Sequence, residues 1–221
     1  MILSRGHNYV FIHIPKTGGT ALALALEARA MAGDEMLGDT PKAVKRRRRL
    51  HGTQTRGRLW KHSTLADIEG LASREELRQM FAFTLVRNPF DRMVSLYHWL
   101  KEQSFDHPMV PLAHALPFTS FVTDPLVMRA LKSQPAPSYM MQSDGYEHCS
   151  LYIRLEHFAK DAAPLFDHLG FALELPRVNE SRRDPDWRIY YDSQAIDAVR
   201  TCCHLEIGRF EYSFNDYPLS L

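Results

Sequence analysis

Little in this chain points to a metal, a membrane or a nucleic acid. Its 221 residues include three cysteines, Cys149, Cys202 and Cys203. They are odd in number for a disulfide framework and lack the CxxC pairs of a zinc site, so a reducing, cytoplasmic setting without a structural metal is expected. No stretch approaches the ~20 apolar residues that a membrane-spanning helix needs. Net charge is only +1, from 27 Lys plus Arg against 26 Asp plus Glu. The whole-molecule field therefore gives no reason to expect nucleic-acid binding, and any anion site must be local. Internal repeats and low-complexity tracts are also missing. What is there, 45% hydrophobic and 24% charged residues, is the composition of a soluble globular protein, and the length fits a single domain over residues 1–221.

Tyr9 to Ile14 is rich in β-branched and aromatic residues and runs into Pro15, which predicts a buried strand ending at a turn. A glycine loop follows, and from Thr20 an Ala- and Leu-rich stretch predicts a helix to about Met31. Ala21 to Leu26 with Ala28-Arg29-Ala30 has the outline of a signal-peptide core, but the run is short and Glu27 and Arg29 interrupt it, so it is read as helix. Residues 33–61, with the run Lys45-Arg46-Arg47-Arg48-Arg49, predict a mobile connection with one short helix and a solvated charge run. Ser63 to Leu71 is expected to be helical. Phe81 to Val86 predicts a second buried strand, again followed by a helix, and the repeated strand-then-helix order argues for a parallel α/β sheet. Asn88 as N-cap, Pro89 at the first position and Asp91 in the first turn start a helix that reaches about Lys101. Prolines punctuate residues 104–137 and predict loops and short helices. Leu151 to Ile153 is an expected strand, and Phe158 to Leu169 and Ser193 to Cys203 are expected helices.

Two segments can hold an anion. Pro15-Lys16-Thr17-Gly18-Gly19-Thr20 lies between a strand and a helix start, where exposed N–H groups and the helix dipole favour negative charge. Lys16 adds a point charge, and Thr17 and Thr20 add hydroxyls. A plain glycine turn is the bland alternative. The loop is not a Walker A sequence, because Lys16 precedes the glycines instead of following them, and no strand-terminal Asp offers itself for magnesium. In the second segment, Arg87 to Tyr97, residues Asn88, Arg92 and Ser95 share one helical face beside Arg87. That face can present a guanidinium and a hydroxyl to a phosphate, or it can simply belong to an N-capped core helix.

His13-Ile14-Pro15-Lys16-Thr17-Gly18-Gly19-Thr20 taken with Val86-Arg87-Asn88-Pro89-Phe90-Asp91-Arg92-Met93-Val94-Ser95-Leu96-Tyr97 closely resembles the sulfotransferases that use 3′-phosphoadenosine 5′-phosphosulfate (PAPS), in particular the Golgi carbohydrate type and its bacterial relatives. Further similarity covers Lys61-His62-Ser63-Thr64-Leu65, Arg154-Leu155-Glu156-His157 with Asp161, Leu175-Pro176 with Asn179, Ser181 and Arg182, and Phe210 to Phe214. Family members often have Asp where Glu206 stands and Gly where Glu211 stands. The resemblance implies a three-layer, P-loop-like α/β fold with a central parallel sheet flanked by helices, and a transfer that needs no metal. It implies that Lys16, Thr17, Gly18, Gly19 and Thr20 bind the 5′-phosphosulfate and that Arg87 and Ser95 bind the 3′-phosphate.

The expected reaction is transfer of a sulfuryl group from PAPS to a hydroxyl, on a carbohydrate by expectation, with a glycan, glycolipid or small metabolite as partner in a bacterial cytoplasm. His62 is the expected base, because an imidazole accepts a proton near neutral pH and the resemblance places the histidine of this Lys-His motif at the acceptor. Lys16 is expected to neutralise the departing oxygen. His13 can donate to the phosphosulfate or be satisfied structurally. Glu156 is expected to pair with Arg154 or a backbone donor, and Cys202, Cys203 and His204 to belong to a terminal helix. Two other classes share parts of this pattern: a nucleotide kinase, which would need magnesium and a γ-phosphate, and a non-catalytic nucleotide- or nucleic-acid-binding module using the arginine run.

Overall fold

A computed structural model describes residues 1–178 and 183–216. Asn179, Ser181 and Arg182 of the motifs above lie outside the described residues. The chain divides into two compact units, Met1–Val86 with Ala136–Asn179 and Arg87–Pro135 with Glu180–Leu221.

The first unit carries a five-stranded mixed sheet, in which β1 (Ile2–Ser4), β2 (Tyr9–Ile12), β3 (Glu35–Met36), β4 (Phe81–Val86) and β5 (Leu151–Arg154) lie in the order β3-β1-β2-β4-β5. The expected parallel core is β2-β4-β5, with Phe11 opposite Phe83 and Leu85 opposite Ile153. β2 is buried along its whole length and β4 along all but its first residue, as expected for strands covered on both faces. The Thr84 hydroxyl stays inside this core by donating to Ile12 O at 2.7 Å. The antiparallel edge of β1 and β3 was not expected. Three-residue and two-residue strands are too short to show periodicity, and the hairpin closes through Asn8, at φ 52°, whose amide donates to Arg5 O.

Helix α1 (Gly19–Ala28) follows β2 and buries Leu22, Ala23 and Leu26. The basic run is then not a mobile tether. Its residues lie in α2 (Pro41–Arg46) and a 3₁₀ turn over Arg47–Leu50, and two of its cations, with Lys42 just before them, satisfy carbonyls at and beyond the end of α1. Lys42 Nζ donates to Glu27 O at 2.5 Å, Arg46 Nη1 to Met31 O at 2.8 Å and Arg49 Nη1 to Ala32 O at 2.6 Å. Carbonyls beyond a helix end lack intrahelical donors, so these contacts are capping contacts. Lys45, Arg47 and Arg48 stay exposed.

Residues 63–71 form turns rather than the expected helix. Thr64 and Asp67 bond each other's amides reciprocally, and Leu65 N and Ala66 N donate to Tyr139 O and Met141 O. These bonds take the amides that a helix would use. Later elements of the first unit are α3 (Arg74–Gln79), which Ser73 caps, and, past the second unit's helices, Ala136–Tyr139, Phe158–Asp161 and Ala163–Leu169. The last two replace one expected helix, which breaks at Ala162 just before Pro164.

The second unit opens on α4 (Pro89–Lys101), with the boundaries and cap read from the sequence: Asn88 Oδ1 accepts from Phe90 N at 3.1 Å. Short helices over Met109–Ala115, Phe118–Val122 and Pro125–Ser133 follow, and Ser193–Cys202 and His204–Arg209 close the unit. Their core joins Phe90, Met93, Val94, Phe121, Trp187 and Val199. Among the described residues no helix is long and apolar enough to cross a membrane.

Candidate active site

In the first unit the loop after β2 turns through two left-handed residues, Lys16 at φ 65° and Gly18 at φ 84°. The first costs about 1 kcal/mol for a residue with a Cβ. The second suits glycine, and a methyl there would also stand 2.8 Å from Leu155 Cδ1. Alternation of this kind turns successive backbone N–H groups toward one point and makes an anion-binding concavity. At the start of α1 the amides of Gly19 and Thr20 add donors that have no intrahelical carbonyl within reach. Thr17 is buried and its hydroxyl donates to Ile14 O at 2.9 Å. Its side chain therefore holds the turn and leaves the backbone to face a ligand. Thr20 is half-buried and lines a small cavity with His13, Gly38 and Lys61.

Gly19 leaves room for the ring of His13, which would meet a methyl at 2.1 Å. That buried ring lies 4.6 Å from the ring of His62, and His62 Nδ1 is 2.7 Å from the His13 carbonyl oxygen. A carbonyl only accepts, so Nδ1 carries the proton and Nε2 carries the lone pair. Burial lowers His62 to about 4, partly offset by the bond to His13 and reinforced by the Lys61 charge. Burial also holds His13 well below the imidazole range, with the charges of Lys61 and Lys16 acting in the same direction. Both rings are neutral at pH 7.

The second unit holds the other expected residues. Arg87, next after β4, pairs with Asp91, its Nε and Nη2 reaching Oδ2 at 2.9 and 2.7 Å. Asp91 is buried and takes a second guanidinium on its other oxygen, Arg183 Nη2. One carboxylate thus aligns two arginines, each nearly buried, and guanidiniums held in this way can recognise a phosphate by forked hydrogen bonds. Arg183 does not stand out in the sequence, since it lies 96 residues from Arg87 with no local pattern tying them. From the sequence Asp91 reads only as a first-turn acid. Ser95 is buried one turn further along α4. Arg92, on the same helix, pairs with Glu206 at 3.1 Å. In the first unit Arg154 is held by Asp161 at 2.7 Å, and Leu155 beside it covers the glycine loop.

A family model described as the sulfotransferase family matches residues 1–182. Among solved structures, a mouse sulfotransferase complexed with PAP is similar at 20% identity, covering 93% of this chain and 67% of that one, with a TM-score of 0.43. No curated protein matches the chain.

Proposed function

The chain belongs to the sulfotransferase family, and from that premise we propose that it moves a sulfuryl group from PAPS to a hydroxyl, with a carbohydrate as acceptor. The observation that carries the reading is the pairing of a left-handed, lysine-bearing glycine loop with a neighbouring imidazole whose lone pair is fixed on Nε2. PAPS supplies the sulfuryl group and a phosphate leaving group. The match runs through residues of both units, and residues 1–221 are read as one sulfotransferase domain. A cytoplasmic setting accords with the three free cysteines.

Each residue then has a task. The backbone of Lys16 to Thr20 holds the 5′-phosphosulfate, with Thr17 bracing the turn. Lys16 neutralises the charge that grows on the phosphate oxygen as the bond to sulfur breaks, a contribution made mainly in the transition state. Arg87, aligned by Asp91 and assisted by Arg183 and Ser95, holds the 3′-phosphate. His62 Nε2 takes the acceptor's proton. An imidazole this weakly basic does so late, once the bond from oxygen to sulfur has made the hydroxyl acidic. Incubation of the protein with sulfur-labelled PAPS and a saccharide panel tests the reading. Label should enter a saccharide without magnesium, about 10²-fold or more slowly after Lys16→Ala or His62→Ala. Magnesium-dependent ATP turnover with no label transfer would refute it.

A further inference from the structure

The most densely charged face of the first unit takes no part in the site described above. Over Pro41–Leu50 the residues Ala43 and Leu50 are buried, while Pro41, Val44, Lys45 and Arg48 recur at helical spacing on the outer face and are all exposed. Arg47 and Arg49 beside them are exposed too. The face carries apolar surface among its cations: Val44 is 42% exposed, and Met31, in the turn that Arg46 and Arg49 tie down through Met31 O and Ala32 O, is 46% exposed. Acids near in the chain do not offset the charge. Glu27 and Asp34 are buried, Glu35 pairs with Arg5 and Asp39 with Lys61. Among the described residues Lys45, Arg47, Arg48 and Arg49 make no ion pair. The backbone under them is fixed, since Lys42 N donates to Glu27 Oε1 at 2.7 Å and Lys42 Nζ to Glu27 O at 2.5 Å, so docking costs little ordering of this segment.

We propose that this face docks the protein reversibly on an anionic lipid bilayer, with Lys45, Arg47, Arg48 and Arg49 among the phosphate headgroups and Val44 pressed against the apolar boundary beneath them. Each cation close to such a surface strengthens binding about fivefold, and clusters of this size are the usual means of holding a protein there. The short α2 adds too little apolar area for insertion, so attachment is reversible and salt-sensitive. Charge alone would also suit a nucleic acid. Residues 41–50 hold no aromatic ring to stack on a base, and a phosphate backbone offers nothing to the exposed Val44 and Met31, whereas a bilayer offers both a charged and an apolar layer. No residue of the candidate active site is engaged, so the inference does not depend on the sulfotransferase reading.

Flotation of the full chain with lipid vesicles tests it. The protein should float with vesicles of phosphatidylglycerol mixed into phosphatidylcholine, stay behind with phosphatidylcholine alone, and be released from the mixed vesicles as salt is raised. The triple variant Lys45→Gln, Arg47→Gln, Arg48→Gln keeps the capping contacts of Arg46 and Arg49 and should lower the partition coefficient about a hundredfold. A control with the same change in net charge, Arg129→Gln, Lys160→Gln, Arg200→Gln, removes three exposed cations elsewhere and should lower it less than about fivefold. Val44→Ser, which leaves the charge unchanged, should weaken binding about threefold. Urea midpoints matching that of the parent show that each variant folds. No flotation with the anionic vesicles, or equal losses in the two triple variants, would overturn the proposal. Flotation that Val44→Ser leaves unchanged, with tighter binding of duplex DNA than of vesicles, would overturn it in favour of a nucleic-acid surface.

Discussion

Gly19→Ala isolates a contact on which the proposed site depends. A methyl at this position would stand 2.1 Å from His13 Cδ2, 2.5 Å from Nε2 and 2.8 Å from Cγ. All three belong to one buried ring with little freedom to retreat, because His62 lies 4.6 Å away and Phe11 stacks on it at 6.0 Å. Overpacking of this sort costs about 1–3 kcal/mol. Alanine in place of glycine at the start of α1 returns up to about 1 kcal/mol, so the net loss should be about 1–2 kcal/mol. His13→Ala removes the three atoms nearest to the new methyl, yet leaves the carbonyl that orients His62. In that background Gly19→Ala should be neutral or stabilising by up to about 1 kcal/mol. The coupling between the two positions is then about 2 kcal/mol, well outside the scatter of independent sites. Urea unfolding of the four proteins measures it. An equal cost for Gly19→Ala in both backgrounds would refute the argument that this glycine exists to admit the histidine.

The buried imidazoles predict a pH dependence. His62 titrates near 4 and His13 below its usual range, while both take up protons near 6.5 when unfolded. The unfolded chain therefore binds more protons than the folded one in this window. Stability should fall as pH drops from about 6.5 toward 4, a slope that His62→Gln should reduce in urea midpoints across pH. Asp91→Ala removes the carboxylate shared by two nearly buried guanidiniums, and should cost about 3 kcal/mol in unfolding and weaken PAP roughly tenfold by calorimetry. Glu211 sits at φ 56°, just past the helix over His204–Arg209, where Tyr212 N donates to Ile207 O at 3.0 Å. That bond closes a Schellman turn, in which glycine is the usual residue, so Glu211→Gly should raise stability by about 1 kcal/mol. Arg46→Ala should cost about 1 kcal/mol for its lost carbonyl contacts, whereas Arg48→Ala should stay within about 0.5 kcal/mol.

The sequence was most legible where one local signal agreed with the next. Phe81–Val86 and Pro89–Lys101 stand at the boundaries expected for them, because a buried apolar run, a capping asparagine and an N1 proline each specify the same junction. Ser63–Leu71 misled for the opposite reason. Its composition suits a helix, but Thr64, Asp67 and strands of backbone far away in sequence take up its amides. The basic run was misjudged because charge in a sequence does not reveal which carbonyls need a donor, and only the fold brings Met31 O and Ala32 O to Arg46 and Arg49. Among the candidate site residues, the glycine loop of the first unit and Arg87 of the second are visible as motifs. Arg183 is not, since its tie to Arg87 runs through Asp91 and is purely three-dimensional. His62 could be named from sequence, but its tautomer and its depressed basicity needed the His13 carbonyl and the burial around it. Glu211 is a case where a departure from the family's usual glycine acquires a physical meaning only once the backbone angle is known.

Calorimetric titration of magnesium-free protein with PAP, beside ATP and an Arg87→Ala control, tests the central claim most directly. Micromolar PAP binding that is lost in Arg87→Ala and exceeds ATP binding is the predicted result. No PAP binding, or a preference for ATP, would contradict it.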